Sequence, residues 1–157
     1  MKYFIYLLLF MTFNSAKTLK LKIINTPIYN FIPFLAFHHI ALIYNENDIF
    51  SMDFSPNENI NSPYVIIKLL QGKNIKGKIR INHIKDKSIN IYKLKSNIFF
   101  ENYNSQLLEE NFEKLKKIDY CIVDSIKLWN TSFQLYKRNC QHFCKFLQLN
   151  YQSELHH

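Results

Sequence analysis

The hydrophobic period of this chain changes once along its length, and that change limits the folds open to it. As far as Leu94 the apolar residues come in short, strand-length runs or alternate with polar ones; from Leu107 onward they recur at helical spacing. His38-His39 lead into Ile40-Ala41-Leu42-Ile43-Tyr44, whose length and composition predict a buried strand. Ile49 to Phe54 predict a second, with Ile49, Ser51 and Asp53 on one face and Phe50, Met52 and Phe54 on the other. Tyr64 to Leu70, Lys78 to Asn82 and Asn90 to Leu94 read as further strands, with Gly72 and Gly77 marking a hairpin and Asp86-Lys87-Ser88 another turn. Leu107, Leu108, Phe112 and Leu115 then predict one amphipathic helix, and Ile122, Ile126, Trp129 and Phe133 a second. Strands first and helices last make an α+β domain built on an antiparallel sheet.

The 157 residues suffice for a single domain, and with 48% hydrophobic and 16% aromatic residues its core can be filled. That domain is taken as residues 17–157. Ahead of it, Met1-Lys2, the apolar stretch Tyr3 to Phe13 and Asn14-Ser15-Ala16 have the charge, length and small residue of a signal peptide, or form a short membrane anchor; the stretch is too short to span a bilayer. Residues 17 to 37, with Pro27 and Pro33, lead into the strand at His38.

Net charge is +8, carried by 18 Lys and two Arg interspersed with acids. Base readout favours Arg, so this pattern speaks against nucleic acid and for a solvated surface or attraction to an anionic membrane. Ile, Asn, Lys, Tyr and Phe are all encoded by A/T-rich codons, and their abundance suits an A/T-rich genome such as that of a plastid, a unicellular parasite or a bacterium. Two glycines exclude a Gly-rich phosphate loop, and three cysteines without a CxxC pair argue against a disulfide framework and a structural zinc site. The residues call for no metal and no organic cofactor.

Chemistry concentrates in Asn139-Cys140-Gln141-His142-Phe143. Asn is a strong helix N-cap, and Phe143, Phe146 and Leu147 follow at helical spacing, so Cys140 falls in the first turn of a helix running to about Tyr151. There the free N–H groups and the dipole favour thiolate over thiol. A thiolate nucleophile needs a base, and His38 and His39 stand at the head of a strand whose neighbour carries Asp53. Loop length decides which histidine meets the carboxylate: with three loop residues His39 lies opposite Asp53, and with four His38 shares its face as a diagonal neighbour. His142, about 200° around the helix from Cys140, reads as a structural or first-turn hydrogen-bonding residue. Cys144 and Cys121 read as core residues, and His83 as a structural histidine.

The strand opening His-x-Ala, the return strand ending Asp53-Phe54-Ser55-Pro56 and the late Asn-Cys-x-His-Phe motif together resemble the lecithin:retinol acyltransferase family. That resemblance implies a circularly permuted papain-like fold with the histidine first and the nucleophile last. It makes His39 the base, Asp53 the third member of the triad and Cys140 the nucleophile; the register keeps His38 as the alternative base, and the helix start at Asn139–Cys140 offers an oxyanion stabiliser. It further implies acyl transfer or hydrolysis on a membrane lipid ester or amide through a thioester, while the apolar leader and the lysines predict a membrane-associated or secreted protein. Deubiquitinase-like PPPDE peptidases and NlpC-type endopeptidases share the Cys and His arrangement, so a cysteine peptidase or isopeptidase is the second reading. A third is a non-catalytic accessory subunit of an organellar membrane complex, whose sign would be a Cys140 that is buried, unpaired or blocked by Tyr136 or Trp129.

Overall fold

The computed structural model describes residues 20–27, 37–45, 48–84 and 105–154. Five strands form one antiparallel sheet in sequential order: β1 (Lys20–Pro27), β2 (Phe37–Tyr44), β3 (Ile49–Pro56), β4 (Ile75–Ile84) and the short β5 (Ser132–Phe133). Helix α1 (Pro63–Leu70) joins β3 to β4; α2 (Ser105–Ile118) and α3 (Tyr120–Leu128) follow β4, and α4 (Cys140–Glu154) closes the described chain. Strands therefore dominate the first half and helices the second, as the change of period predicts.

Side-chain alternation assigns the two faces. Ala41, Ile43, Phe50, Met52 and Phe54 are buried with Leu115, Val123, Ile126, Phe143, Cys144 and Leu147 from the helices. Ile24, Ile40, Leu42, Ile49 and Ile84 form a second buried cluster. The alternation expected of Ile49 to Phe54 holds, although both faces of β3 are buried. Helix α4 presents Phe143, Cys144 and Leu147 to the first cluster at i, i+1 and i+4, and full burial of a ring such as Phe143 contributes roughly 1.5–3 kcal/mol.

Four local expectations are corrected. Lys20 to Pro27, read as a lead-in, is a strand: Leu21 and Ile23 pack against the helix-side cluster while Ile24 is buried in the other, so both faces of this edge strand are used. Tyr64 to Leu70, read as a strand from its β-branched run, is helix α1. An extended Ser62 and then Pro63, whose fixed φ suits the first helical position, start a helix that places Val65 and Leu69 one turn apart against the core. Gly72 and Gly77 do not bound a hairpin. Gly72 (φ +68°) ends α1, its N–H bonding to Leu69 O at 3.0 Å and that of Lys73 to Lys68 O at 3.0 Å, the paired bonds of a Schellman end. Gly77 lies inside β4, where a Cβ would come within 2.4 Å of the Phe54 ring. Finally, α3 stops at Leu128: Trp129 is extended at its C-cap and Phe133 belongs to β5, because burying Phe133 against Phe54 favours pairing with Ile75 over another helical turn.

The N-terminal segment 1–16, the expected strand Asn90 to Leu94, the turn at Asp86-Lys87-Ser88 and His156-His157 lie outside the described residues.

Candidate active site

Register brings the first two members of the site together. Tyr44 pairs with Ile49, leaving four residues in the β2–β3 connection, so it is His38 that shares a face with Asp53. His38 Nε2 bonds to Asp53 Oδ2, while the triad position implied for His39 opposite Asp53 is not formed: a connection one residue longer turns His39 to the other face. Thr26 of the neighbouring strand donates to His38 O at 3.4 Å, steadying that end of β2.

Asp53 has a second partner that the sequence reading did not include. Arg80 stands directly opposite on β4 and grips the carboxylate with both arms of its guanidinium, Nε to Oδ1 at 2.8 Å and Nη2 to Oδ2. Asp53 is fully buried. Burial alone would raise its pKa, but the Arg80 charge and the His38 hydrogen bond and charge outweigh that and hold the carboxyl below its usual range. One sequence signal pointed to Arg80: it is one of only two arginines among twenty basic residues, and it sits at an alternating position in a strand.

The thiol arrives from the C-terminal end of the chain. Asn139 caps α4 through Oδ1, which accepts from Gln141 N at 2.9 Å and His142 N at 3.2 Å, while its Nδ2 donates to Leu135 O at 2.7 Å. His142 Nδ1 lies 2.9 Å from the same Oδ1, which requires the proton on Nδ1 and turns this ring to the cap and not to the thiol. Phe143 N bonds back to Asn139 O. Among the first-turn donors this leaves the N–H of Cys140 itself without an intrahelical acceptor.

Cys140 Sγ accepts from His39 N at 3.4 Å and lies 4.0 Å from His39 Nδ1. Burial works against the thiolate, but hydrogen bonds from His38 and His39, the charge of His38 and the His39 backbone N–H prevail and lower its pKa to about 6. His38 moves the opposite way: burial opposes its charged form, yet hydrogen bonding and charge attraction to Asp53 and Cys140 raise it to about 9. Near neutral pH the cluster is a balanced quartet, with the anions Asp53 and Cys140 set among the cations His38 and Arg80. Cys144, one turn along α4, is buried, and burial together with the charges of Cys140 and Asp53 pushes its thiol up. Cys121 is partly exposed at the start of α3, where Asp119 caps the helix.

Trp129 packs on Phe54, Phe143 and Phe146, and Tyr136 turns to Leu70 O at 3.0 Å; Cys140 itself is partly exposed. An apolar groove of about 330 Å³ runs between Ile79, Ile81, Leu108, Phe112 and Trp129, and Cys140, His38 and Asp53 do not line it. No protein-family profile, curated protein or solved structure matches this chain.

Proposed function

We propose that this protein is a thiol-dependent acyltransferase or hydrolase of permuted papain-like architecture, in which Cys140 is the nucleophile and His38, oriented by Asp53, is its proton acceptor. The observation that carries the reading is the convergence of an Asp-bound histidine on a cysteine at a helix N-terminus, from positions a hundred residues apart in the chain. Asp53 holds His38 Nε2, leaving Nδ1 as the ring nitrogen that exchanges a proton with the thiol. The thiolate attacks an ester or amide carbonyl, the Cys140 N–H stabilises the oxyanion, and the imidazolium returns its proton to the leaving group as a thioester forms. Water or an acceptor nucleophile, deprotonated by the same imidazole, then releases the acyl group.

A membrane lipid is the substrate class that the family resemblance suggests, and the lysine-rich surface suits it. A blocked thiol was the sign expected of a silent accessory subunit, and Cys140 is instead partly exposed beside two imidazoles. Intact-mass labelling with a limiting thiol probe across about pH 5 to 9 tests the proposal. Preferential modification of Cys140 over Cys121 and Cys144 below neutrality, lost in His38→Ala, supports it. Equal reactivity of the three thiols overturns it.

A further inference from the structure

Helix α1 is apolar on nearly every side yet lies on the surface. Its sequence, Pro63-Tyr-Val-Ile-Ile-Lys-Leu-Leu70, contains one charged residue, and Val65 is its one buried residue. A helix that is hydrophobic all round is ordinarily enclosed. Here Tyr64 is 65% exposed, Ile67 54%, Leu70 62% and Ile66 37%, and Ile60 just ahead of the helix is 41% exposed. At about 100° per residue, Ile66, Leu70, Ile67 and Tyr64 fill one continuous solvent-facing arc, with Lys68 at its margin.

The arc is extended by the segment that leads into the candidate nucleophile. Tyr136, 61% exposed, donates its hydroxyl to Leu70 O at 3.0 Å and lays its ring over Gly72, and Gln134 Nε2 donates to Gly72 O at 2.7 Å. Four residues on, the same segment becomes Cys140. The exposed apolar surface and the thiol thus share one end of the molecule.

Charge decides what such a surface fits. Lys68 lies over the Tyr64 ring with Glu58 3.8 Å from it, and the exposed Lys73 and Lys137 stand next in the chain to Gly72 and Tyr136 at the end of the arc. A second copy docking face to face would bring like-charged rims together. Tyrosines with a polar tip, aliphatic side chains and a lysine rim on a helix lying flat are the composition of an interfacial membrane helix.

We propose that α1 and Tyr136 form a platform that rests on an anionic bilayer, with Ile67, Leu70 and Tyr64 among the upper acyl-chain carbons and Lys68, Lys73 and Lys137 at the level of the lipid phosphates. The platform presents the end of the molecule that carries Cys140 to the lipid. It goes beyond the acyl chemistry and stands whether or not Cys140 reacts.

The test uses the full chain carrying Leu70→Trp, with Leu149→Trp on the exposed face of α4 as control, mixed with vesicles of phosphatidylcholine alone or with a third phosphatidylserine. Both positions are well exposed, so neither indole disturbs the core. The added emission of Leu70→Trp should shift to the blue and be quenched by brominated acyl chains in the anionic vesicles, while that of Leu149→Trp does not change. Lys73→Glu with Lys137→Glu should weaken the effect by on the order of tenfold or more, as should high salt. An indole at position 70 that stays aqueous and unquenched overturns the proposal, even if the chain binds vesicles through another part. So does a blue shift that depends on protein concentration without lipid, which would assign the face to a second copy, or one produced only by an acidic protein. Cys140 labelling is read separately, so failure here leaves the acyl reading standing.

Discussion

Strand β3 has a histidine–aspartate contact toward each end, one with His38 of β2 and one with His83 of β4, and the two are built differently. At one end His38 bonds Asp53, whose carboxylate has no exposed surface and is also held by Arg80. At the other, His83 stacks on Phe50 at 4.7 Å and reaches Asp48 at 2.6 Å, with the Asp48 side chain 32% exposed. Both are imidazoles on a strand paired with β3, each beside a carboxylate on β3 or just ahead of it. Only the first lies against a thiol, and only there is the carboxylate taken fully out of water and balanced by a second cation. A histidine–aspartate pair is thus a common structural contact; burial, an arginine and a helix-borne cysteine together are what allow it to set a thiol's charge.

Removing the arginine should break that difference most severely. Arg80→Leu leaves Asp53 buried with His38 as its one remaining cation and tips the quartet to net negative. Loss of one partner of a buried ion pair costs about 3–5 kcal/mol, and with His38 still in place the lower end, about 3 kcal/mol, is expected. Urea unfolding measures it. A variant within about 0.5 kcal/mol of wild type would mean that Arg80 is a surface contact and that Asp53 needs no counter-charge beyond His38.

Reactivity is the next most sensitive probe. With the Cys140 pKa at about 6, roughly half of it is thiolate at that pH. An ordinary thiol near 8.5 is ionised only to a few parts per thousand, so alkylation of His38→Ala at pH 6 should fall on the order of a hundredfold, while His83→Ala reacts like wild type. The matching loss in His39→Ala alone would transfer the role to the ring 4.0 Å from the sulfur. Stability carries the same signature. His38, raised from 6.5 to about 9, contributes stability that is complete below pH 6.5 and is lost as pH rises through 9. Cys140, lowered from 9.0 to about 6, contributes stability that is complete above 9 and is lost as pH falls through 6. The His38 loss therefore runs between pH 6.5 and about 9, the window in which the Cys140 contribution grows, so urea midpoints of wild type should change little there, and the falling component should vanish in His38→Ala.

The helix start comes third. Asn139 satisfies two backbone donors and ties the preceding turn to α4, so Asn139→Ala should cost about 1 kcal/mol in urea unfolding, against little for the exposed neighbour Gln141→Ala. Equal effects of the two substitutions would show that the cap does not hold the cysteine in place.

What could be read from the residues alone follows the range of the interactions involved. The N-cap and the helix at Cys140 are local, and so were legible. The choice between His38 and His39 turned on one residue of loop length, which Asn45-Glu46-Asn47-Asp48 leaves open because it lacks the glycine that would select a tight turn. Arg80 was missed because its meaning depends on a partner across a strand pair 27 residues away. Tyr64 to Leu70 was misread because β-branched residues favour strands in general, while the helix there depends on Pro63 and on two contacts one turn apart with a core that periodicity alone does not reveal. The lead-in at Lys20 to Pro27 was passed over because an edge strand needs few apolar positions of its own.

The smallest effect falls on the pair that resembles the site without sharing its surroundings. His83 and Asp48 are linked near solvent, so their contact contributes at most about 1 kcal/mol. The His83 ring, packed on Phe50, contributes chiefly as a flat apolar surface. His83→Phe retains the stack and removes the link to Asp48, so it should unfold within about 0.5 kcal/mol of wild type and leave Cys140 labelling unchanged. Asp53→Asn, a smaller change in shape, should slow labelling because it removes the charge that keeps His38 an imidazolium. If both substitutions altered labelling alike, the two ends of β3 would be coupled through the sheet and the contrast between them would fail. If only the Asp53 change did so, His–Asp contacts at the two ends would differ in kind because of what surrounds them and not because of the pairing itself.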